Sequence, residues 1–334
     1  MSDRGGFDRR GFVRLLAAGG AAAAAWPSSA RGQAQRLIRV DEILAIHFNA
    51  VFFVPRFLPP WIKWDFRKFA ETGFGRLSAF MRGAIDAFGT SWNYLPQAVS
   101  EDVPLVAVTG IAGGGSKIVV QKDSGINSLR DLKGKKIALS EFISQDIMLI
   151  ASMKKLGMDP FKDVTRVNVS PSGGVTAFQK REVDAFATFE PYASIAEVTG
   201  GGRALFDLYE HSGWGKALGG FYVRQAFAEA NRDLVQAVVE AVIKASDYIQ
   251  KNRDERVALA MKLTGQSREV IERAVTNTYP TLEMPLETIR GITRTMYEAG
   301  VIKKDVTSLL ASHVDYSYLE KATGKKKEEL GYSA

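Results

Sequence analysis

Nine residues carry the side chains and backbone groups best suited to holding a small charged molecule: His47, Asn49, Trp92, Asn93, Ser144, Gln145, Ser172, Gly173 and Glu190. Ser144 and Ser172-Gly173 stand where helices are expected to start. A helix start offers free N–H donors and a partial positive charge to an anionic group. Ordinary helix capping uses the same groups, so both readings stay open. Trp92 can stack on a planar or alkyl ligand or pack in the core. His47 can donate to a ligand oxygen or be a satisfied structural histidine. Glu190 suits an ammonium, an amidine edge or an amino-pyrimidine, with a hinge or surface salt bridge as the alternative. Asn49, Asn93 and Gln145 add polar contacts. Trp92, Glu190 and a helix start together suit an organic ligand that carries both kinds of charge.

The same inventory argues against catalysis. The chain has no cysteine, hence no thiol nucleophile, cysteine metal site, disulfide or lipid-anchoring cysteine. His47, His211 and His313 are scattered, no Ser-His-Asp constellation stands out, and neither a metal nor a cofactor is expected. Gly113-Gly114-Gly115 lacks the Lys-Ser/Thr ending and following helix of a phosphate loop. A flexible crossing between two lobes is the expectation there.

The elements that must position these residues are announced by a repeat. Leu77–Ala98 and Val175–Ala196 align without a gap at an offset of 98, sharing Ala79, Phe80, Asp86, Ala87, Phe88, Thr90, Tyr94 and Ala98 with their counterparts. Each copy reads as a short helix, a turn and a short strand carrying Asp-Ala-Phe. Beyond the strand the copies diverge, to Ser91-Trp92-Asn93 and Phe189-Glu190-Pro191. Ligands of open α/β sheets sit outside the carboxyl ends of the strands. The shared part therefore reads as scaffold and the divergent part as two halves of a cleft.

Along the chain, strands are expected over 37–46, 65–69, 104–111, 116–122, 136–139 and 164–169, with a return strand at Phe221-Tyr222-Val223. Asn49–Val54 reads as a helix start broken by Pro55. Ser144–Leu156 reads as a helix closed by Gly157. From Asn231 onward the pattern is helical, with Leu234, Val235, Val238, Val242 and Ile249 on one face. Strands alternating with helices, then a helical tail, give an α/β protein of two lobes. Residues 35–114 and 221–334 form lobe 1 and 115–220 form lobe 2.

The first 34 residues read as an export signal. Asp8-Arg9-Arg10-Gly11-Phe12-Val13-Arg14 is a twin-arginine pattern. An Ala/Gly-rich apolar run and small-residue cleavage positions after Ala30 or Ala34 follow it. Its removal takes five arginines and two aspartates and lowers the formal charge from +7 to +4. That charge is mild and dispersed, and does not argue for nucleic acid.

Val119–Ile126, Asp131–Ala138, Ala177-Phe178-Gln179 and Val183–Tyr192 resemble the periplasmic substrate-binding proteins of ABC importers. Within these the nitrate, taurine and aliphatic-sulfonate group is the most similar, and thiamine-pyrimidine proteins share its fold. The resemblance implies a type II-like two-lobed binding protein, each lobe a mixed sheet flanked by helices. It also implies hinge closure on one small ligand, a monomer, and delivery to an inner-membrane permease. A taurine- or sulfonate-like ligand is the first expectation. A pyrimidine-type thiamine precursor is the alternative. A pyrimidine-synthesis enzyme is disfavoured by the missing cysteine, and a regulator half by the lack of a DNA-binding segment. The family often has Gly-Ser-Ser/Thr at the second lobe's helix mouth. Phe142 and Ile143 stand here in place of the glycine and first hydroxyl, with Glu141 and Asp146 beside them.

Overall fold

The two copies of the repeat fold alike, element for element. A computed structural model describes residues 35–43, 45–68 and 73–333. The export segment expected over residues 1–34 lies outside the described residues. In chain order the main elements are β1 (Arg36–Asp41), β2 (Ile62–Arg67), α1 (Gly73–Met81), β3 (Ala87–Ser91), α2 (Tyr94–Ser100), β4 (Leu105–Gly114) and β5 (Ser116–Gln121). There follow β6 (Lys136–Leu139), α3 (Ser144–Lys155), β7 (Thr165–Asn168), α4 (Pro171–Gln179), β8 (Ala185–Phe189), α5 (Tyr192–Thr199), β9 (Gly202–Asp207) and β10 (Ala217–Arg224). The rest is α6 (Arg232–Lys251), α7 (Arg253–Thr264), α8 (Arg268–Thr276), β11 (Thr278–Tyr279) and α9 (Leu286–Glu298), with short helical turns between. The offset of 98 carries α1 onto α4, β3 onto β8 and the start of α2 onto that of α5.

The strands form two mixed sheets, ordered β11-β4-β10-β3-β1-β2 and β7-β6-β8-β5-β9. β3 lies parallel to β1 and antiparallel to β10, as β8 lies parallel to β6 and antiparallel to β5. The repeated aspartate explains part of this likeness. Asp86 N–H donates to Arg39 O at 2.7 Å while Arg39 N–H donates to Asp86 Oδ2 at 3.0 Å. Asp184 and Lys136 exchange the same pair at 2.9 and 2.8 Å. One carboxylate thus fixes the register of its strand against the parallel neighbour.

The helical face read from Leu234, Val235, Val238, Val242 and Ile249 is buried on α6. Other boundaries moved. β1 ends at Asp41, because the chain turns into a one-turn helix at Ile46–Phe48 that carries His47. β2 begins earlier than expected, at Ile62, and pairs along its full length with β1. β9 and β11 were not foreseen. The glycine crossing is tightly packed rather than loose. Gly113 and Gly114 pair with β10 and β11, and a Cβ on Gly114 would collide with Asn277 O.

Candidate functional site

A cavity of about 550 Å³ opens between the strand ends of the two sheets. One wall comes from the segment after β1 (Ile43, His47, Phe48) and from the end of β3 into α2 (Thr90, Ser91, Asn93, Tyr94, Gln97, Glu101). The opposite wall is the loop after β6 and the start of α3, Glu141 to Gln145, with Phe189 at the end of β8. The end of the repeat's strand thus serves both walls. Ser91 and Phe189 are equivalent positions in the two copies, and both face the cavity.

The walls meet at Asn93. Its Oδ1 accepts from Ser91 Oγ at 2.7 Å and from Ser144 Oγ at 2.8 Å, and its Nδ2 donates to Phe142 O at 3.4 Å. Ser144 opens α3 behind Ile143, whose extended backbone sets the helix start but whose side chain cannot cap it. The first turn of α3 therefore faces the cavity without a side-chain cap. Gln145 reaches the other way. Its Nε2 donates to Ser116 Oγ at 2.8 Å, Ser116 Oγ lies 3.2 Å from Tyr209 Oη, and Tyr209 donates to Gly114 O at 2.9 Å. A hydrogen-bonded chain thus runs from the cavity to the crossing between the sheets.

Asp146 is fully buried and does not line the cavity. It accepts from Arg166 Nη2 at 2.6 Å and from Phe142 N–H at 2.9 Å. That last bond holds Phe142 at φ 65°, the left-handed region that glycine enters freely and a phenylalanine enters at a cost of about 1–3 kcal/mol. Phe142 thus keeps a glycine-like backbone while adding a half-exposed ring to the rim.

His47 is buried, and its Nε2 occupies the space that a Cβ on Gly115 would need. Burial pushes its pKa down to about 4, with the Arg256 charge adding to the effect and the Gly114–Gly115 backbone opposing it. It is a neutral imidazole at pH 7. Its ring also meets Phe189, at 5.9 Å between centroids.

Of the nine candidates, the structure brings His47, Asn93, Ser144 and Gln145 to one cavity. The other five lie elsewhere. Trp92 is fully buried, with its indole over Gly220 and edge-on to Tyr222, in the core-packing role that was its alternative. Glu190, its equivalent in the repeat, is buried as well. It accepts from Asn277 Nδ2 at 2.6 Å and from Ser194 N–H at 3.1 Å, and burial raises its pKa. Asn49 is buried at the N-terminus of the short helix that starts at Ala50. Ser172 is exposed, and the cap of α4 is Ser170, whose Oγ accepts from Gly173 N–H at 3.1 Å. Thr90, Ser91, Gln97, Glu101, Phe142 and Phe189 line the cavity without having been singled out as site residues. Ser91 and Phe189 were within reach, because they stand in the divergent tips of the repeat.

The model of the family described as NMT1/THI5 like matches residues 72–256. The putative aliphatic sulfonates-binding protein of Escherichia coli K12 is 29% identical over 63% of this chain and 65% of its own length. The match thus spans less than two thirds of that relative. The taurine-binding periplasmic protein of the same organism is 26% identical over 76% of this chain and 81% of its own length. Among solved structures, the alkanesulfonate-binding protein SsuA from Xanthomonas axonopodis pv. citri bound to MOPS is similar with a TM-score of 0.71. It is 22% identical and covers 86% of this chain and 100% of that one. At that identity it speaks for the fold.

Proposed function

The chain belongs to the NMT1/THI5-like family, and on that premise we propose that it is the periplasmic solute-binding component of an ABC importer for a small organosulfonate of the taurine kind. The ligand binds in the cavity between the two sheets, and the protein releases it to an inner-membrane permease. Residues 1–34 direct export by the twin-arginine route. Residues 35–114 with 221–334 form one lobe and residues 115–220 the other, and the monomer closes on its ligand by hinge rotation.

The observation that carries this reading is the joint wall at Asn93 and Ser144, where a side chain from each half of the molecule meets an uncapped helix start. Such a start presents N–H donors to a sulfonate head. The sulfonate- and taurine-binding relatives agree with it. Binding rather than catalysis is favoured because the serine at the helix start is not paired with a histidine. Ser144 donates to Asn93, and His47 is held neutral by burial.

A thermal-shift screen of the full chain against taurine, other organosulfonates, nitrate and pyrimidines tests the reading. A ligand at 100 times its dissociation constant adds about 2.7 kcal/mol to stability. A clear upward shift with an organosulfonate is expected. A folded protein that no organosulfonate shifts overturns the reading.

A further inference from the structure

Three residues other than glycine hold a left-handed backbone among the described residues: Asp102 at φ 56°, Phe142 at φ 65° and Arg181 at φ 57°. Two of them end helices. Asp102 N–H donates to Val99 O at 3.1 Å and Val103 N–H to Ala98 O at 2.9 Å, which closes α2. Arg181 N–H donates to Phe178 O at 3.1 Å and Glu182 N–H to Ala177 O at 2.9 Å, which closes α4 in the same way. A left-handed residue just past a helix satisfies the last carbonyls, and this offsets its conformation.

Phe142 ends no helix. It lies between β6 and α3, ahead of a helix start. Its N–H donates to Asp146 Oδ2 at 2.9 Å, and its carbonyl accepts from Asn93 Nδ2 at 3.4 Å. Arg166 Nη2 fixes Asp146 in turn, at 2.7 Å from Oδ1 and 2.6 Å from Oδ2. The chain just before Phe142 is fastened too. Ser140 Oγ donates to Val169 O at 2.7 Å, and Glu141 N–H donates to Asn168 Oδ1 at 3.2 Å. A strained residue persists only where its surroundings over-determine it, and these bonds do so.

Glycine would take this backbone without strain, but it would bring no ring. Phe142 is 46% exposed, and among the described large apolar residues that are exposed it alone lines the cavity. A structural use for the ring is available. Phe142 and Ile147 stand at the two positions that often pack together as a hydrophobic staple at a helix start. Ile147 is fully buried, however, while nearly half of Phe142 stays in water. Ile43, Phe48 and Leu77, from the part of the chain between β1 and β3, line the same cavity. Closing the cleft on a solute with an apolar part takes the ring out of water, which favours closure in proportion to the apolar area covered.

Resting on the solute-binding reading above, we propose that Phe142 is a specificity-determining residue. Its ring covers the apolar part of the bound solute and selects for the size of that part. The head of the solute is held elsewhere, at Asn93 and Ser144.

Two variants separate ring from backbone. Phe142→Ala removes the ring and keeps the strain, and Phe142→Gly removes both. Isothermal titration of the full chain with hexane-1-sulfonate and with taurine reads the ring. Both variants should bind hexane-1-sulfonate at least tenfold more weakly than wild type does. Taurine, whose apolar part is two methylenes, should stay within twofold. Urea denaturation without ligand reads the backbone. Phe142→Gly should have a higher midpoint than Phe142→Ala, and one no lower than wild type. A Phe142→Gly variant less stable than wild type makes the ring a staple on Ile147 and overturns the inference. Equal weakening of both probes, or of neither, overturns it as well. A wild type that binds taurine but not hexane-1-sulfonate sinks the inference and leaves the solute-binding reading standing. If the folded chain binds neither, both readings fall.

Discussion

Ser144 Oγ donates to Asn93 Oδ1 at 2.8 Å, and this bond ties the start of the second sheet's helix to the strand end of the first. Both side chains are buried, and both border the cavity. A ligand bound in this cavity, as proposed, would compete for groups that already hold the two walls together. On the proposed reading, binding and closure would be coupled through the same pair of atoms.

The repeated aspartates differ in their burden, and that difference predicts unequal mutants. Asp86 is buried and accepts from Arg39 N–H, Nε and Nη2 and from Arg224 Nη2. Asp184 is half-buried and accepts from Lys136 N–H. Removing one partner of a buried ion pair costs about 3–5 kcal/mol. Because Arg39 and Arg224 are partly exposed, Asp86→Asn should lose about 3 kcal/mol in urea denaturation. Asp184→Asn should lose less than about 1 kcal/mol, since an amide oxygen still accepts the one backbone bond. Equal losses would break the assignment.

How far the site could be read from sequence follows from the same repeat. Shared Asp-Ala-Phe gave both strands, because burial on both faces of a central strand demands apolar residues there. The divergent tips located the cleft, but the two most conspicuous tip residues turn away from it. Trp92 and Glu190 are equivalent positions, and both point into the scaffold, while their neighbours Ser91 and Phe189 point into the cavity. Side-chain direction one residue past a strand depends on the turn that follows, which the residue types do not reveal. Arg256 and Glu101 were illegible for a different reason. Their place depends on how the helical tail and α2 pack, contacts with no local signature.

Trp92 therefore tests packing against binding. Trp92→Phe removes the ring that fills the space over Gly220. It should cost about 2 kcal/mol of stability and change ligand affinity by less than about twofold, or under 0.5 kcal/mol. A large loss of affinity in a stable variant would return Trp92 to the site.

His47 predicts a pH dependence. Its folded pKa of about 4 lies below the ordinary 6.5, so below pH 6.5 the unfolded chain takes up a proton that the folded chain refuses. The stability associated with the neutral form is present above pH 6.5 and is lost as pH falls toward 4. The full loss is on the order of 3 kcal/mol. Glu190, whose pKa burial raises, works in the opposite direction. The readout is therefore the difference between wild type and His47→Asn in denaturant stability from pH 7 to 4. That difference should narrow steadily as pH falls. A constant difference would mean that His47 does not titrate as its burial requires.

The crossing glycine can be separated from ordinary turn glycines. Gly115 has φ +79° and a Cβ there would collide with His47, whereas Gly125 has φ +70° with open space around it. Gly125→Ala should cost about 1 kcal/mol, the conformational penalty alone. Gly115→Ala should cost more than about 2 kcal/mol, with the collision added. Similar costs, measured by urea denaturation, would show that His47 yields freely.

Calorimetric titration of the full chain with taurine or the organosulfonate that shifts it most tests the central claim directly. Asn93→Ala and Ser144→Ala should each weaken binding about tenfold, a loss near 1.4 kcal/mol. Ser172→Ala, whose hydroxyl lies outside the cavity, should bind like wild type. Unchanged affinity at Asn93 and Ser144, or an equal loss at Ser172, would contradict a ligand held between the two sheets.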